Sequence, residues 1–295
     1  MSRSFVLLVN PASARGRALT ALPAVIAELD ALGAPHRTVT TRSTEHAAEE
    51  ARRAADAGEA VAALGGDGLL RPIAGVLRRT ESALALIPCG RGNDLARVLG
   101  VPKDPARAAR LAVQGRERLL DVADVDGTPF VGIASLGFDS DANRIANEAK
   151  LVRGNAVYLY AALRALLAWK PASFTVTVDG LRHELRGYSV AVGNSRAYGG
   201  GMMLLPHAEL DDGKLDVLMS EHEPKLRFLG HLPKVFKGTH LDSPHARLAR
   251  GAVVEVDSDR PFVVYADGDP IGATPATMRV EPRCLRVIVP AAASS

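Results

Sequence analysis

The chain is expected to fold as an α/β domain built on a parallel sheet, followed by a mostly antiparallel β domain. Three observations predict this. Apolar, β-rich runs alternate with helical stretches from Phe5 to about Leu99. Three polar, glycine-bearing or proline-bearing turns close successive strand runs in that half. From near Leu120 onward, β-rich segments follow one another through turns. With 295 residues there is room for two domains, given usual domain sizes. The expected division is 1–122 and 123–283.

Phe5-Val6-Leu7-Leu8-Val9 is a strand run stopped by Asn10-Pro11, and a helical pattern covers 16–32, the usual reading of β-branched runs bounded by turn residues. A second short strand is expected at 36–40 and an Ala/Glu/Arg helix at 45–57. Ala60-Val61-Ala62-Ala63-Leu64 reads as a buried strand. Gly65-Gly66-Asp67-Gly68 turns it, and Ile73-Ala74-Gly75-Val76-Leu77 reads as the core side of a helix. The run 83–87 leads into Pro88-Cys89-Gly90-Arg91-Gly92-Asn93-Asp94, then a short helix at 95–99 closed by Gly100 and Pro102. Strands separated by helices imply a parallel sheet. In the second half, strands are expected at 174–178, 188–192, 215–219, 253–256, 262–266 and 285–289, with Asp179-Gly180 as a hairpin turn, a sequence that favours type I′ geometry. Helical patches are expected at 142–169 and 224–236.

A hydrophobic content of 47% with 23% charged residues describes a globular chain and excludes the disordered class. The net charge of +3 is too small to demand nucleic acid, and no nucleic-acid-binding signature accompanies it. It suits an anionic ligand or an anionic membrane surface. Cys89 and Cys284 form no framework, and the histidines show no zinc spacing; a reducing cytoplasm is the expected location. Met1-Ser2-Arg3-Ser4 runs straight into a strand, so no signal peptide is expected. No apolar run reaches the roughly 18 residues of a membrane span; the nearest, 156–169, carries Arg164.

The three turns of the first half carry the chemistry. In an open parallel sheet the carboxyl ends of neighbouring strands share one edge, where ligands bind. Glycine-rich turns there let main-chain N–H groups approach phosphate. An aspartate inside such a turn repels phosphate unless a divalent cation lies between them. Asp67 and Asp94 are therefore candidate carboxylates for a metal–nucleotide site.

The order Asn10-Pro11-x-Ser13, then Gly65-Gly66-Asp67-Gly68, then Gly90-x-Gly92-Asn93-Asp94-Leu95-Ala96-Arg97 resembles the catalytic domain of the diacylglycerol kinase and sphingosine kinase superfamily, bacterial lipid kinases included. The resemblance continues through Ala134-Ser135-Leu136-Gly137-Phe138-Asp139, Val192-Gly193-Asn194, Gly199-Gly200-Gly201, Pro206 to Asp216 and Ala266-Asp267-Gly268-Asp269. It implies a Rossmann-like N-terminal domain related to phosphofructokinases and NAD kinases, a β-sandwich-like C-terminal domain, and an active site in the cleft between them. In that family the last strand often returns to the first domain; here that is 284–295.

The resemblance implies an ATP-dependent lipid kinase with Mg²⁺, acting on a diacylglycerol-like or sphingoid hydroxyl in phospholipid biosynthesis. The lipid would be met at a membrane surface by a cytoplasmic protein, with a homodimer possible. By position, Asn10, Ser13 and Thr41, the stretch Gly65, Gly66, Asp67, Gly68, Leu69, Leu70, Arg71 and Pro72, and then Arg91 and Asp94, match nucleotide-binding positions. Asp67 and Asp94 match carboxylates for Mg²⁺-ATP. Glu209, Asp212 and Lys214 match a second, structural metal site, with Glu209 and Lys214 contributing carbonyl oxygens. Asp269 matches the acidic residue, usually Glu, that takes the proton from the lipid hydroxyl.

The chain departs from the family's Gly-Gly-Asp-Gly-Thr-x-Asn-Glu by reading Leu69-Leu70-Arg71-Pro72 after its turn. That removes a polar Asn-Glu pair. Pro72 is tolerated if it falls in the first helical turn, and Arg71 and Arg91 could reach phosphate bidentately. An NAD kinase-like enzyme and a catalytically impaired lipid- or nucleotide-binding relative remain the alternatives.

Overall fold

The computed structural model describes residues 3–148 and 156–291. The chain divides into two compact units, residues 1–122 with 281–295, and residues 123–280.

In the first unit, β1 (Phe5–Val9), β2 (His36–Thr40), β3 (Ala60–Gly65) and β4 (Leu84–Pro88) are parallel, in the order β2-β1-β3-β4. The registers Val9↔Thr40, Val9↔Leu64 and Leu64↔Ile87 bring the carboxyl ends of these strands level. Every residue of β1, β3 and β4 is buried, as expected for strands covered on both faces. The cover comes from α1 (Arg17–Ala31), α2 (Thr44–Asp56), α3 (Asp67–Leu77), the short α4 (Asp94–Val98) and α5 (Pro105–Gln114). Helix α2 packs on α3, and α1 on α5.

Local chemistry starts these helices. The Ser43 hydroxyl accepts the His46 N–H at 3.1 Å, and Asp104 Oδ1 accepts that of Arg107 at 2.9 Å, with Pro105 in the first turn. Both are N-cap bonds. Helix α5 lies beyond the last helix expected from the sequence for this half; the Asp104-Pro105 pair is the signal that marks it.

β5 (Arg116–Val125) carries the chain into the second unit. There follow β6 (Thr128–Phe130), β7 (Ile133–Gly137), α6 (Phe138–Glu148), α7 (Ala156–Ala168), β8 (Ala172–Val178), β9 (Leu181–Gly193), β10 (Leu215–Glu221), α8 (Lys225–Val235), β11 (Ala246–Gly251), β12 (Val253–Ser258), β13 (Val263–Ala266), β14 (Asp269–Ala273) and β15 (Ala276–Val289). The strand order β14-β13-β7-β9-β8-β12-β15 is antiparallel, and β10 joins β9 to β11. The fold is thus the expected α/β unit plus a mostly antiparallel β-rich unit. Asp179-Gly180 and Asp267-Gly268 both turn hairpins with positive φ at each position, the type I′ requirement.

Three differences stand out. Strands β9 and β15 are much longer than the apolar cores expected at 188–192 and 285–289, because their first halves carry polar residues on an exposed face. The closing part of β15 pairs in parallel with β4 through Val287↔Leu84, so the chain ends as a strand of the first unit; 292–295 lie outside the described residues. The helical patch expected at 142–169 contains α6 and α7, with 149–155 outside the described residues.

Aromatic side chains knit the second unit. Tyr188 of β9 stacks on Phe228 of α8 with centroids 3.9 Å apart, and Phe138 meets Trp169 edge-on at 5.9 Å. Those contacts set which faces of α7 and α8 turn inward.

Removing a side chain from the β1–β3–β4 core leaves a cavity that rigid neighbours cannot fill. Leu64→Ala is expected to cost about 3 kcal/mol, and Leu181→Ala, which is largely exposed, under about 0.5 kcal/mol. Urea unfolding midpoints measure both; equal costs would contradict the packing described.

Candidate active site

The carboxyl ends of β1, β3 and β4 deliver three loops to one place. Main-chain bonds tie them together: Asn10 N–H to Leu64 O at 3.1 Å, and Cys89 N–H to Gly65 O at 2.7 Å. The buried Ser13 hydroxyl donates to Cys89 O at 3.3 Å, and Asn10 Oδ1 accepts the Ala12 N–H at 3.0 Å. At the end of β2, Thr41 is buried and its hydroxyl donates to Val9 O at 3.1 Å. Asn10, Ser13 and Thr41 therefore brace the loops.

The second and third loops meet backbone to backbone. A methyl group on Gly90 would lie 2.5 Å from Gly66 Cα, and one on Gly66 would lie 2.9 Å from Gly90 Cα. Neither glycine has positive φ, so what excludes a side chain there is space. Asn93 does adopt φ 52°, a conformation asparagine tolerates. Its side chain closes the loop on Gly90, accepting from N–H at 2.8 Å and donating to O at 3.0 Å.

This clamp brings Asp67 and Asp94 together. Asp67 opens α3 and Asp94 opens α4, and the Asp94 N–H donates to Asp67 Oδ1 at 2.8 Å. A methyl group on Gly92 would lie 2.9 Å from Asp67 Oδ2 and 3.0 Å from Asp94 Oδ2, so both carboxylates converge on the bare Cα of Gly92. Burial, and then the neighbouring Asp94 charge, push the Asp67 carboxyl up to about 6 against the pull of main-chain N–H groups at the start of α4. One or two carboxylates, completed by phosphate and water oxygens, are the donor set Mg²⁺ usually takes; the pair fits that ion.

Behind the third loop lies a cavity of about 330 Å³ whose lining includes Arg17, Arg91, Arg97 and Lys103 beside Gly90 and Gly92. Arg91 is exposed at its mouth. This basic wall can hold an anion. The residues after the turn behave differently from expectation. Leu69 and Leu70 are 3% and 5% exposed, so their side chains belong to the core and they offer a ligand only main chain. Helix α3 begins at Asp67, which puts Pro72 in its second turn rather than its first. There proline leaves the Gly68 carbonyl without its helical N–H partner. Arg71 is half-buried on the same helix.

The remaining candidates belong to the second unit. Asp267 is the anchor of its hairpin: its carboxylate accepts the N–H groups of Val131 and Gly132, each at 2.9 Å. Asp269, half-buried, starts β14 two residues on. Asp212 Oδ1 accepts the Lys214 N–H at 2.9 Å, while Arg250 forms an ion pair with Asp212 and reaches Asp216 Oδ2 at 3.5 Å. Glu209 and Lys214 side chains are exposed. The resemblance expects a cation at Asp212; the structure supplies a guanidinium. Among the described residues, no group of three or more His, Cys, Asp or Glu side chains is arranged to hold a metal ion.

Sequence reasoning missed an apolar cavity in this unit, of about 80 Å³, with Phe138, Leu204, Leu218 and Phe228 in its lining. Its polar members include half-buried Asp139, whose carboxyl is pushed up to about 6 by loss of solvent, and Glu223, paired with His231 at 3.0 Å. Asp139 sits within the quoted Gly137-Phe138-Asp139 motif; no local signal marks Glu223 or His231.

With this geometry in place, likeness to known proteins becomes informative. Residues 4–125 match the diacylglycerol kinase catalytic domain, and residues 132–289 match the YegS C-terminal NAD kinase beta sandwich-like domain. A diacylglycerol kinase of Mycobacterium tuberculosis is 34% identical over 291 residues, covering 96% of this chain and 94% of that protein. A Pseudomonas aeruginosa protein described as a "probable lipid kinase YegS-like" is 35% identical over 231 residues, 77% of this chain and 75% of its own length. The fold is shared with the crystal structure of a diacylglycerol kinase from Bacillus anthracis str. Sterne, with a TM-score of 0.78, 23% identity and 99% coverage of both chains. The chain belongs to the diacylglycerol kinase and YegS-like lipid kinase family, a family of kinases.

The Asp67 carboxyl makes a testable contribution to stability. An unfolded aspartate titrates near pH 3.9, and Asp67 in the fold near 6. Between those values the folded state binds more protons than the unfolded one, so stability falls as pH rises through the window. Asp67→Asn keeps an oxygen for the Asp94 N–H and removes the repulsion. It is expected to raise stability by about 1–2 kcal/mol near neutral pH, the gain vanishing towards pH 4. Urea unfolding across that range measures it; a variant less stable than wild type at neutral pH would refute the coupling.

Proposed function

We propose that the protein is an ATP-dependent lipid kinase that moves the γ-phosphoryl group of ATP to a lipid hydroxyl of the diacylglycerol or sphingoid type. One observation carries this reading: Asp67 and Asp94 converge on Gly92 at the carboxyl edge of a parallel sheet, beside glycine-rich loops. Phosphoryl transfer needs positioning and charge neutralisation more than covalent help, and such a site provides both.

Asp67 and Asp94 would hold Mg²⁺, which when bound offsets the charge of the triphosphate. The N–H groups of Gly66, Gly68 and the loop around Gly90, with Asn10, Ser13 and Thr41 as braces, would shape the phosphate cradle. Leu69, Leu70 and Pro72 would contribute through the main chain and the start of α3. Arg91, with Arg17, Arg97 and Lys103, would place positive charge along the polyphosphate in the basic cavity, compensating for the missing polar Asn-Glu pair; Arg71 is a further candidate on α3. Asp269 would accept the proton of the acceptor hydroxyl as that oxygen bonds to the γ-phosphorus and the bond to the β-phosphate oxygen breaks, releasing ADP. The apolar cavity lined by Phe138, Leu204, Leu218 and Phe228 suits an acceptor with a hydrocarbon body.

At Asp212 the arrangement favours an ion pair. The Arg250 guanidinium compensates Asp212 and Asp216, the charge role that the resemblance gives to a structural cation with Glu209 and Lys214. The enzyme would work in the cytoplasm and meet its lipid at a membrane surface. Among the described residues, no helix is long and apolar enough to cross a membrane.

Lipid extracts incubated with labelled ATP test the reading. Wild-type protein is expected to yield labelled phospholipid, and Asp67→Ala and Asp269→Ala to lose about a hundredfold or more in rate while keeping cooperative unfolding. No labelled product from diacylglycerol, sphingosine or related alcohols would overturn it, and formation of NADP from NAD instead would move the chain to the NAD kinase reading.

A further inference from the structure

Helices α7 and α8 are anchored through one face, and among the described residues the other carries exposed side chains. Ala165 and Leu166 of α7 and the following Trp169 are buried, and Trp169 meets Phe138 in the aromatic core. The opposite face carries Tyr160, Leu163, Arg164 and Leu167, the i, i+3, i+4, i+7 spacing of one helical stripe. In α8, Phe228 stacks on Tyr188, while Leu226 points away. Leu167 and Leu226 are 83% and 85% exposed, more than any other large hydrophobic side chain among the described residues. They sit on neighbouring ends of the two helices: the Lys225 ammonium donates to Leu167 O at 3.1 Å. Among the described residues, nothing in the packing of the second unit uses these leucines.

The two helical segments themselves carry charge of one sign. Segment 156–170 holds Arg164 and Lys170, and segment 224–237 holds Lys225, Arg227, Lys234 and Lys237, with no aspartate or glutamate in either. Arg164 donates to the Tyr160 hydroxyl at 3.0 Å, keeping a tyrosine and an arginine at the same level of the stripe. Carboxylates on packed neighbours are paired: Asp141 of α6 with Arg144, and Asp259 with Arg260, which also donates to Lys170 O at 2.5 Å. Glu223 is buried and pairs with His231.

Protruding leucines ringed by lysine and arginine, with a tyrosine beside them, are what an interfacial helix presents to a bilayer. The apolar tips enter the acyl boundary while the cations stay with the headgroups. We propose that the face formed by Tyr160, Leu163, Leu167 and Leu226, with Arg164, Lys170, Lys225 and Arg227 around it, docks the protein on an anionic phospholipid bilayer. A protein partner or a second copy of the chain would want carboxylates opposite so many cations, and the helices of this face offer none. The docking surface rests on the lipid-acceptor reading for its purpose, since it would bring the enzyme to a substrate held in the membrane. Its physical basis is independent of catalysis.

Co-sedimentation of the full chain with vesicles tests it. Wild type is expected to bind vesicles of phosphatidylcholine and phosphatidylglycerol in equal parts, to bind pure phosphatidylcholine more weakly, and to be released by salt. The pair Leu167→Ser with Leu226→Ser should weaken binding about tenfold or more, as should Lys225→Glu with Arg227→Glu. Leu181→Ser, an exposed leucine on a hairpin elsewhere, should leave binding unchanged. Thermal unfolding unchanged in all three shows that folding is intact. Unaltered vesicle binding by the leucine pair, or no binding by wild type, would overturn the proposal. So would a wild-type dimer that the leucine pair converts to monomer without loss of vesicle binding. A short-chain, monomerically dispersed diacylglycerol separates this from the kinase reading: the leucine pair should phosphorylate it at the wild-type rate while losing about tenfold or more on vesicle-borne acceptor. If wild type binds vesicles yet phosphorylates neither acceptor, the kinase reading fails and the docking surface stands.

Discussion

Two like charges are held side by side at the carboxyl edge of the first unit's sheet, and much of that unit is organised to keep them there. Asp67 and Asp94 come from loops that follow different strands, and repulsion alone would drive them apart. They stay because Gly66 and Gly90 touch backbone to backbone, because Asn93 pins its own loop, and because the Asp94 N–H bonds to Asp67. A side chain at Gly66 or Gly90 would wedge the loops open, and one at Gly92 would strike both carboxylates. The glycines of these motifs are thus explained by close approach. The arrangement is destabilising by itself, and it is the pair to which the proposed function assigns a divalent cation.

The rest of the first unit supplies the frame. Strands β1, β3 and β4 are buried throughout and their registers are level, so the loops cannot slide past one another. Helices α3 and α4 both start at these aspartates, turning their main-chain N–H groups towards the same region. The second unit is a different object: an antiparallel sheet with an aromatic core, hairpins that present Asp267 and Asp269, and helices held by Trp169 and Phe228. Asp267 spends its carboxylate on the N–H groups of Val131 and Gly132, which ties the turn before Asp269 to the segment that enters β7.

Much of this was legible in the sequence because it is local. Strand runs ended by Asn10-Pro11, Gly65-Gly66 and Pro88-Cys89 announce the parallel sheet, and Asp179-Gly180 announces a hairpin through the conformations those residues favour. What escaped was set by distant partners. Nothing in Leu69-Leu70-Arg71-Pro72 tells that α3 starts at Asp67 and turns both leucines into the core. The pairing of Arg250 with Asp212 and Asp216 joins two β10–β11 neighbours that no short motif links. The polar strand halves of β9 and β15 concealed their length, since alternation of charge and small residues reads as loop until its partner strand is known.

The central claim is that Asp67 and Asp94 form a coupled, partly protonated pair built for a divalent cation and a nucleotide. Calorimetric titration of Mg²⁺-ATP into the protein at pH 6, in buffers of different ionisation heat, tests it most directly. The Asp67 carboxyl, pushed up to about 6 by burial and by Asp94, carries part of a proton there, so binding should release protons, and Asp67→Asn should bind weakly with no release linked to that carboxyl. Tight binding with no proton release, or equal affinity in the presence and absence of Mg²⁺, would contradict the account.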